Sequence, residues 1–346
     1  MVNLKIPKKL KVKDKVATVS LSWGGAGDAH LLWRYELGKN RLIEEFGLEV
    51  IEMPHTLSGS EYLYHHPKKR AEDLMDAFKD TSVKAIFSVI GGDDSIRLLP
   101  YIDFDVIKNN PKIFIGYSDT TVTHFMCLKA GVRSYYGPSI LAEFAENVEM
   151  FEYTKESIRN TLFSSEILGE VKPALTWASE HLPWEEKNKH QRRNTKEHTG
   201  TVCLQGSGKV QGHLVGGCID VLEMIKGTTL WPNDHVWEGS ILFLEASEEK
   251  PKPEYIRYWL RNYGAMGLFD RINGIIFGKP FDEMYMKEYQ EVITSVIKEE
   301  YMKKDLPILF NLNFGHTAPM FVIPFGAKGE IDCENQTFSI LEPSVR

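Results

Sequence analysis

Short apolar runs alternate with longer segments of helical periodicity in the first half of the chain. Four runs rich in β-branched and other apolar side chains predict strands, at residues 15–22, 48–53, 83–90 and 113–117. Helical patterns lie between them. We expect the first helix to begin with Asp28 as its N-cap and the second to begin at Pro67. Strands that alternate with helices indicate a parallel sheet whose two faces are both covered.

The pattern changes after residue 165. Residues 177–200 contain almost no aliphatic side chains and carry many charges around Pro183 and Trp184, which is typical of a functional loop or a flexible insertion. Beyond them, short apolar runs separated by glycines predict strands at residues 200–204, 210–215, 239–244, 274–277 and 308–310. Helical periodicity returns at residues 220–225, 253–264 and 285–301.

These patterns together predict a two-domain protein of the α/β class. We expect an N-terminal parallel-sheet α/β domain over residues 1–165 and a C-terminal mixed α+β domain over residues 201–346. A linker and a polar substrate loop occupy residues 166–200 between them. The length of 346 residues agrees with two domains, since an ordinary domain has about 100–200 residues.

The composition excludes several classes of protein. Hydrophobic residues make up 42% of the chain and charged residues 26%, so it is neither disordered nor fibrous. The formal net charge of −7 argues against a nucleic-acid partner, which requires a cationic face. No run of 18 apolar residues predicts a membrane span, and the basic N-terminal segment has no apolar core of a signal peptide. Because the four cysteines form no CxxC pair, we expect free thiols and a cytoplasmic protein.

The clearest local signal for chemistry lies in residues 112–124, which read KIFIGYSDTTVTH. An apolar strand runs through Gly116 directly into a helix, which is the geometry of a nucleophile elbow. Ser118 would then lie at the helix N-terminus, where backbone N–H groups stabilise developing negative charge. The alternative is that Ser118 is only a helix cap, and the segment alone does not decide between the two roles.

A serine nucleophile needs a base and an orienting acid. Of the eleven histidines, His316 follows an apolar strand in a loop bounded by glycine and proline, where catalytic groups are often mounted. His124 lies nearly two helical turns after Ser118 and points the wrong way for a triad. Glu245 ends the apolar strand at residues 240–244, so it is a candidate acid, although a strand-end carboxylate is more often a surface group.

Two glycine clusters resemble phosphate loops without matching their spacing. The cluster at residues 24–27 has no G-x-G-x-x-G pattern, and no G-x-x-x-x-G-K-[ST] occurs anywhere. Gly92 and the acids Asp93 and Asp94 follow the third strand, and two adjacent carboxylates are weak evidence for a metal site, so we predict none. A better use of this turn is half of an oxyanion hole at Gly92, whose other half is the N–H of Asp119.

Seven segments, in chain order, resemble the LD-carboxypeptidase family of serine peptidases. They are SWGGAGD at 22–28, SVIGGDDSIRLLPYIDF at 88–104, IGYSDTTVTH at 115–124, YYGPSIL at 135–141, GHLVGGCID at 212–220, ILFLEASEE at 241–249 and FGHTAPM at 314–320. The resemblance implies that an N-terminal domain supplies the nucleophile Ser118, while a C-terminal domain supplies the acid Glu245 and the base His316. It also implies no cofactor, a small peptide or aminoacyl-nucleotide as substrate, and a homodimer.

Within that family, the sequence looks like the microcin-immunity (MccF-like) branch, which cleaves the amide of a peptide- or aminoacyl-nucleotide. Asp93 in the GGDD turn and Trp184 in the polar loop support this branch and become candidate substrate-binding residues. The branch places an aromatic side chain against the nucleobase at the position of Trp184, although a loop tryptophan can also pack on its own protein. Arg97 and Arg133 are candidates for binding a phosphate or carboxylate of the substrate.

Two alternative functions remain open. The first is a murein LD-carboxypeptidase, which removes the terminal D-alanine from cytoplasmic muropeptides. The second, from a different class, is a non-catalytic nucleotide-binding α/β module that uses the turn at residues 24–27.

Overall fold

A computed structural model describes residues 3–178 and 180–346 of the chain. Its strands are β1 (Lys15–Val19), β2 (Glu49–Glu52), β3 (Val83–Ser88), β4 (Ile113–Gly116), β5 (Tyr135–Tyr136), β6 (Ile167–Glu170), β7 (Thr176–Ala178), β8 (Thr195–Glu197), β9 (Val202–Gln205), β10 (Lys209–Cys218), β11 (Ile241–Glu245), β12 (Gly274–Gly278), β13 (Ile308–Leu312), β14 (Ile323–Pro324), β15 (Lys328–Asp332) and β16 (Thr337–Pro343). Its α-helices are α1 (Leu32–Glu44), α2 (Ser60–His65), α3 (Pro67–Lys79), α4 (Phe104–Asn109), α5 (Thr121–Ala130), α6 (Glu152–Ile158), α7 (Ile219–Ile225), α8 (Asp234–Trp237), α9 (Pro253–Ala265) and α10 (Met286–Thr294).

The first sheet has six strands in the order β14-β5-β4-β3-β1-β2. The four strands predicted from the first half of the sequence are all present, and they pair in parallel. Their near-continuous burial agrees with helices covering both faces, as expected for a parallel sheet. The carboxyl ends of β3 and β4 therefore meet at one edge of this sheet, where loops can carry functional groups.

The second sheet has eight strands in the order β6-β16-β15-β10-β11-β12-β13-β9. β10 pairs with β15 in antiparallel fashion through its first half and with β11 in parallel through its second half. The run β10-β11-β12-β13 is parallel, so the carboxyl ends of these strands also share one edge. The predicted α/β class, with a second mixed sheet, is confirmed.

The structure differs from the sequence prediction at several elements. Helix α1 begins at Leu32, and Asp28 does not cap it: its carboxylate accepts hydrogen bonds from the N–H and hydroxyl of Ser60, at 2.9 and 2.5 Å. The polar segment contains a two-stranded antiparallel sheet formed by β7 and β8. Strands β6, β15 and β16 were not predicted.

The two sheets exchange strands across the expected domain ranges. β14, which lies within residues 201–346, pairs with β5 in the first sheet, and β6, from the expected linker, pairs with β16 in the second. Between the sheets, the rings of Phe125, Tyr136, Phe243 and Phe325 contact one another with centroids about 5.5 Å apart. The boundaries of the domains stay a prediction.

Two further expectations concern membranes and thiols. Within the described residues, no helix is long and apolar enough to cross a membrane. All four cysteines are free thiols, and three of them are buried.

Candidate active site

Ser118 lies in the turn between β4 and α5 and has a left-handed backbone conformation, with φ of 63°. An L-residue adopts this conformation only under constraint, and such strain is typical of functional turns. In the described part of the chain the Ser118 hydroxyl has no hydrogen-bond partner, and helix α5 has no side-chain cap. The interpretation of Ser118 as a mere helix cap is therefore wrong, and the geometry is that of a nucleophile elbow.

Gly91, in the turn after β3, lets this turn approach Ser118 closely. A Cβ atom at this position would lie 2.6 Å from the Ser118 Cβ and 2.8 Å from its Oγ. Both distances are far below van der Waals contact, so only glycine fits here without movement of the serine. The glycine turn thus shapes the space around the candidate nucleophile.

Glu245 and His316 come together at the edge of the second sheet. Glu245 is the last residue of β11, and His316 lies in the loop between β13 and β14, as the sequence predicts. The Nδ1 atom of His316 lies 2.7 Å from Glu245 Oε2, and the His316 backbone N–H donates to the same oxygen at 3.3 Å. Glu245 is fully buried, so this pair fixes the orientation and tautomer of the imidazole.

Tyr136 connects this pair to the serine from the first sheet. Its hydroxyl donates to Glu245 Oε1 at 2.5 Å and accepts from the Ser118 N–H at 3.2 Å. Thr121, at the start of α5, provides a second link: its hydroxyl donates to the Ser118 carbonyl at 2.7 Å and accepts from the N–H of Cys218 at 3.2 Å. The elbow is therefore fastened directly to the second sheet.

The remaining imidazole nitrogen faces a residue that the sequence analysis did not identify. His316 Nε2 lies 2.6 Å from Glu248 Oε2, and among the described residues no hydrogen bond joins it to Ser118. Burial lowers the pKa of His316, but the Glu245 and Glu248 carboxylates outweigh it and raise the pKa well above the usual value. Burial opposes ionisation of Glu248, yet the charge of His316 lowers the pKa of this carboxyl to about 2.

Ser118 and His316 line one cavity of about 860 Å³, together with Glu248, Tyr117 and Glu143. The Tyr117 hydroxyl donates to Glu143 Oε1 at 3.1 Å, and the Tyr117 ring packs edge-on against His316. Burial raises the pKa of Glu143 to about 7. The cavity is large enough for a ligand of nucleotide size.

The two predicted oxyanion donors belong to the turn after β3 and to the elbow. Gly92 lines the cavity, and the N–H of Asp119 follows Ser118 directly in the elbow. The Asp119 side chain turns away and accepts a hydrogen bond from the Ser95 N–H at 2.8 Å, while burial raises its pKa. The oxyanion role of the two backbone N–H groups stays a prediction.

The two acids of the GGDD turn have different environments. Asp93 is exposed and lines the cavity, in agreement with a substrate-facing position. Asp94 forms ion pairs with the buried Arg70 at 2.6 Å and with Arg97 at 2.8 Å, so its charge is used within the protein. Within the described chain the only cluster with metal-ligating character is a different one, formed by Cys218, Glu245 and His316.

Trp184 lies in an aromatic and cationic wall of the same cavity. Its ring is stacked with that of Trp23 at a centroid distance of 6.5 Å, and the Arg34 guanidinium lies 4.5 Å from its centroid. Burial lowers the pKa of Arg34 to about 10. Arg193 also lines this wall and forms a bidentate ion pair with Glu146.

Arg97 and Arg133 do not line the cavity, so the expectation that they bind substrate is wrong. Arg97 pairs with Asp94, and Arg133 is buried against Glu342 and the Pro343 carbonyl. Arg34 and Arg193 occupy the cavity wall instead. No local pattern indicated these two residues, since Arg34 lies within an otherwise ordinary amphipathic helix and Arg193 within a run of surface charges.

Two family models match this chain, one in its N-terminal half and one in its C-terminal half. The family model of the LD-carboxypeptidase N-terminal domain matches residues 16–137, and that of the LD-carboxypeptidase C-terminal domain matches residues 211–331. The Microcin C7 self-immunity protein MccF of Escherichia coli is 35% identical over 284 residues, which are 80% of this chain and 78% of that protein. The probable murein peptide carboxypeptidase of Bacillus subtilis is 26% identical over 305 residues, 88% of this chain and 85% of that one.

Solved structures agree in fold over nearly the whole length. The MccF-like protein of Streptococcus pneumoniae in complex with AMP superposes with a TM-score of 0.88 at 36% identity, covering 95% of this chain and 99% of that chain. The structure of MccF in complex with aspartyl sulfamoyl adenosine gives a TM-score of 0.86 at 28% identity, covering 99% of this chain and 100% of that chain.

Proposed function

Because the chain belongs to the LD-carboxypeptidase family of peptidases, we propose that it hydrolyses the amide that joins a peptide or an amino acid to a nucleotide. In this proposal Ser118 is the nucleophile, His316 the base and Glu245 the orienting acid. The product is a free carboxylate, so the enzyme inactivates peptide- or aminoacyl-nucleotides of the microcin C type. No cofactor takes part.

The observation that carries this proposal is the position of Trp184. The Trp184 ring, the Trp23 ring and the Arg34 guanidinium line the same cavity as Ser118 and His316. An aromatic ring stacks a nucleobase with about 1–3 kcal/mol, and a guanidinium matches a phosphate or sulfamate. A murein peptide offers no flat ring for such a wall.

The relatives support the same substrate class. The identity to MccF is 35%, against 26% to the murein peptide carboxypeptidase of Bacillus subtilis. Two structural neighbours hold AMP and aspartyl sulfamoyl adenosine. We therefore favour an aminoacyl-nucleotide over a muropeptide, and keep the muropeptide as the second candidate.

The reaction would proceed in two halves. His316 Nε2 takes the proton of the Ser118 hydroxyl as Oγ attacks the carbonyl carbon, and the Gly92 and Asp119 N–H groups stabilise the oxyanion. The imidazolium then protonates the leaving nitrogen, the C–N bond breaks and an acyl-serine remains. Water, deprotonated by His316, releases the acid and restores Ser118. Glu245 stabilises the imidazolium in both halves.

The deciding experiment offers two substrates to the purified protein. We expect mass spectrometry to detect cleavage of aspartyl sulfamoyl adenosine and little cleavage of a murein tetrapeptide. Preference for the tetrapeptide would assign the protein to murein trimming. Binding of the adenosine compound without any hydrolysis, and without phosphonylation of Ser118 by a fluorophosphonate, would support a binding module instead.

A further inference from the structure

Glu248 contacts the imidazole nitrogen that a reacting serine requires. In a Ser-His-Glu site, Nε2 of the histidine must accept the serine proton. Here Glu248 Oε2 lies 2.6 Å from His316 Nε2, while Glu245 Oε2 lies 2.7 Å from Nδ1. An imidazole held between two carboxylates is kept in its protonated form and cannot act as a base.

The loop around Glu248 allows this contact to open without refolding. The Ser247 N–H donates to Asp220 Oδ2 at 2.9 Å, and the Lys250 N–H donates to the Ser247 carbonyl at 3.1 Å. The backbone is thus fixed on both sides, while the Glu248 side chain is 53% exposed. A rotation about its side-chain bonds is enough to free Nε2.

We propose that Glu248 is a positioning residue that holds His316 in a closed resting arrangement, and that a bound substrate must displace it before Ser118 can react. The proposal rests on the proposed function, because it assigns the base role to His316. In the closed arrangement the nucleophile is not activated. Ser118 therefore reacts slowly with unrelated carbonyl compounds until a substrate fills the cavity.

Several titratable groups lie around His316 and Glu248 and influence the protonation of the imidazole. They are Glu245 on β11, Cys218 at the end of β10, Asp220 on α7, Tyr117 before α5, Tyr136 on β5 and His181 in the polar loop. Burial raises the pKa of Cys218 and Tyr136 well above their usual values, so both are neutral near pH 7. Burial also raises the pKa of Asp220. Within the described residues, the carboxylate within hydrogen-bond distance of Nε2 is that of Glu248.

The test follows reaction of Ser118 with a fluorophosphonate between pH 5 and pH 9, because this readout needs no natural substrate. We expect Glu248→Gln to react about tenfold or more faster than wild type at pH 6, since loss of the carboxylate lowers the pH at which Nε2 becomes free. The advantage should shrink as the pH rises. Parallel profiles for the two proteins would overturn the proposal.

Glu249→Gln is the matched control. Glu249 is the next residue of the same turn, is exposed, and forms no hydrogen bond or ion pair within the described residues. Its variant should follow the wild-type profile. A gain equal to that of Glu248→Gln would mean that general removal of negative charge, and not the contact with Nε2, speeds the reaction.

A second measurement separates this proposal from the proposed function. The His316 imidazole is titrated by NMR in Ser118→Ala protein, with and without Glu248→Gln. We expect the double variant to titrate at clearly lower pH, and identical titrations would contradict the closed arrangement. If no protein is labelled at Ser118 but the titrations differ, the serine-hydrolase assignment fails while the contact of Glu248 with His316 stands.

Discussion

The strained backbone of Ser118 determines where its hydroxyl lies. The turn holds Oγ free of any cap contact, in reach of a cavity that also contains His316. The Tyr136 hydroxyl accepts a hydrogen bond from the Ser118 N–H and donates one to Glu245. The same hydroxyl therefore positions the candidate nucleophile and the candidate acid. The hydroxyl of Ser118 is therefore accessible only from the cavity, and its removal should affect reactivity far more than folding.

We expect Ser118→Ala and His316→Ala each to lower kcat by about four to six orders of magnitude, because each removes a group on which the other depends. The double variant should be scarcely slower than either single variant. Steady-state rates measure the effect, and circular dichroism with thermal melts shows that the fold is kept. Near wild-type hydrolysis by Ser118→Ala would end the serine mechanism.

Substitution of Trp184 tests which class of substrate the protein cleaves. If its ring stacks on a nucleobase, Trp184→Ala should lower kcat/KM for an aminoacyl adenylate analogue by roughly five- to a hundredfold, the equivalent of about 1–3 kcal/mol. Cleavage of a peptide without a nucleotide should change little, because the variant leaves Ser118 and His316 in place. Trp184→Phe keeps a flat ring and serves as the control. Equal losses on both substrates would assign Trp184 to loop structure.

The candidate triad came from the motifs that resemble the LD-carboxypeptidase family, and the structure gives a physical reason for two of its members. Glu245 ends one buried strand and His316 follows another, and the two residues lie together because the carboxyl ends of parallel strands meet at one sheet edge. Glu248 could not be assigned in the same way, because its role depends on which way one half-exposed side chain turns. The motif ILFLEASEE already contained Glu248, but its spacing gives no rotamer.

At the scale of elements, the turn after β3 determines how closely two loops approach. Gly91→Ala places a methyl group 2.6 Å from the Ser118 Cβ. We expect the serine to be pushed aside, with a loss of at least about a hundredfold in kcat, since small displacements of reacting groups have effects of this size. Stability should fall by about 1–3 kcal/mol, as is usual for overpacking.

Gly131→Ala is the control for that variant. Gly131 ends helix α5 with φ of 76°, and a Cβ there meets no atom within 4 Å. The strain of the left-handed conformation should lower stability by about 1 kcal/mol without changing kcat. Equal kinetic losses in both variants, measured beside urea unfolding, would mean that α5 responds to any destabilisation and that the contact with Ser118 is irrelevant.

Elements were predictable where their side chains have one clear period. The central strands β1, β3, β4, β11, β12 and β13 are short apolar runs, because both faces are buried, and all were predicted. Strands β15 and β16 alternate buried and partly exposed positions over a charged stretch, and β5 and β14 have two residues each. Their pairing depends on distant partners, which no local pattern reveals.

At the scale of the whole molecule, buried titratable groups connect stability to pH. His124 is fully buried: its Nε2–H donates to the Gly116 carbonyl at 2.9 Å, and Nδ1 accepts from the Ser134 hydroxyl at 2.8 Å. Burial lowers its pKa from 6.5 to about 4. A folded pKa below the unfolded one means that stability is present above pH 6.5 and is lost as the pH falls toward 4.

His124 should therefore contribute a loss of about 3 kcal/mol between pH 7 and pH 4. Glu143 has the opposite sign, because its pKa is raised from 4.5 to about 7 by burial, so it favours the fold as the pH falls through that range. The difference between wild type and His124→Asn isolates the histidine. Urea unfolding at pH 7, 5.5 and 4.5 should give a smaller acid loss for the variant, and parallel curves would contradict a neutral buried His124.

The return of the chain to the first sheet has a consequence for protein synthesis. β14 pairs with β5, and the N–H of Arg346 donates to the Pro7 carbonyl at 3.0 Å, so late residues complete the first half of the molecule. While the ribosome is still making residues beyond 312, the emerged elbow already carries Ser118 but has neither His316 nor its last strand. With the proposed roles, a nascent chain that has not yet reached residue 316 holds the nucleophile without its base. In the proposed mechanism, hydrolytic competence therefore requires His316 and β14, which the ribosome makes long after Ser118.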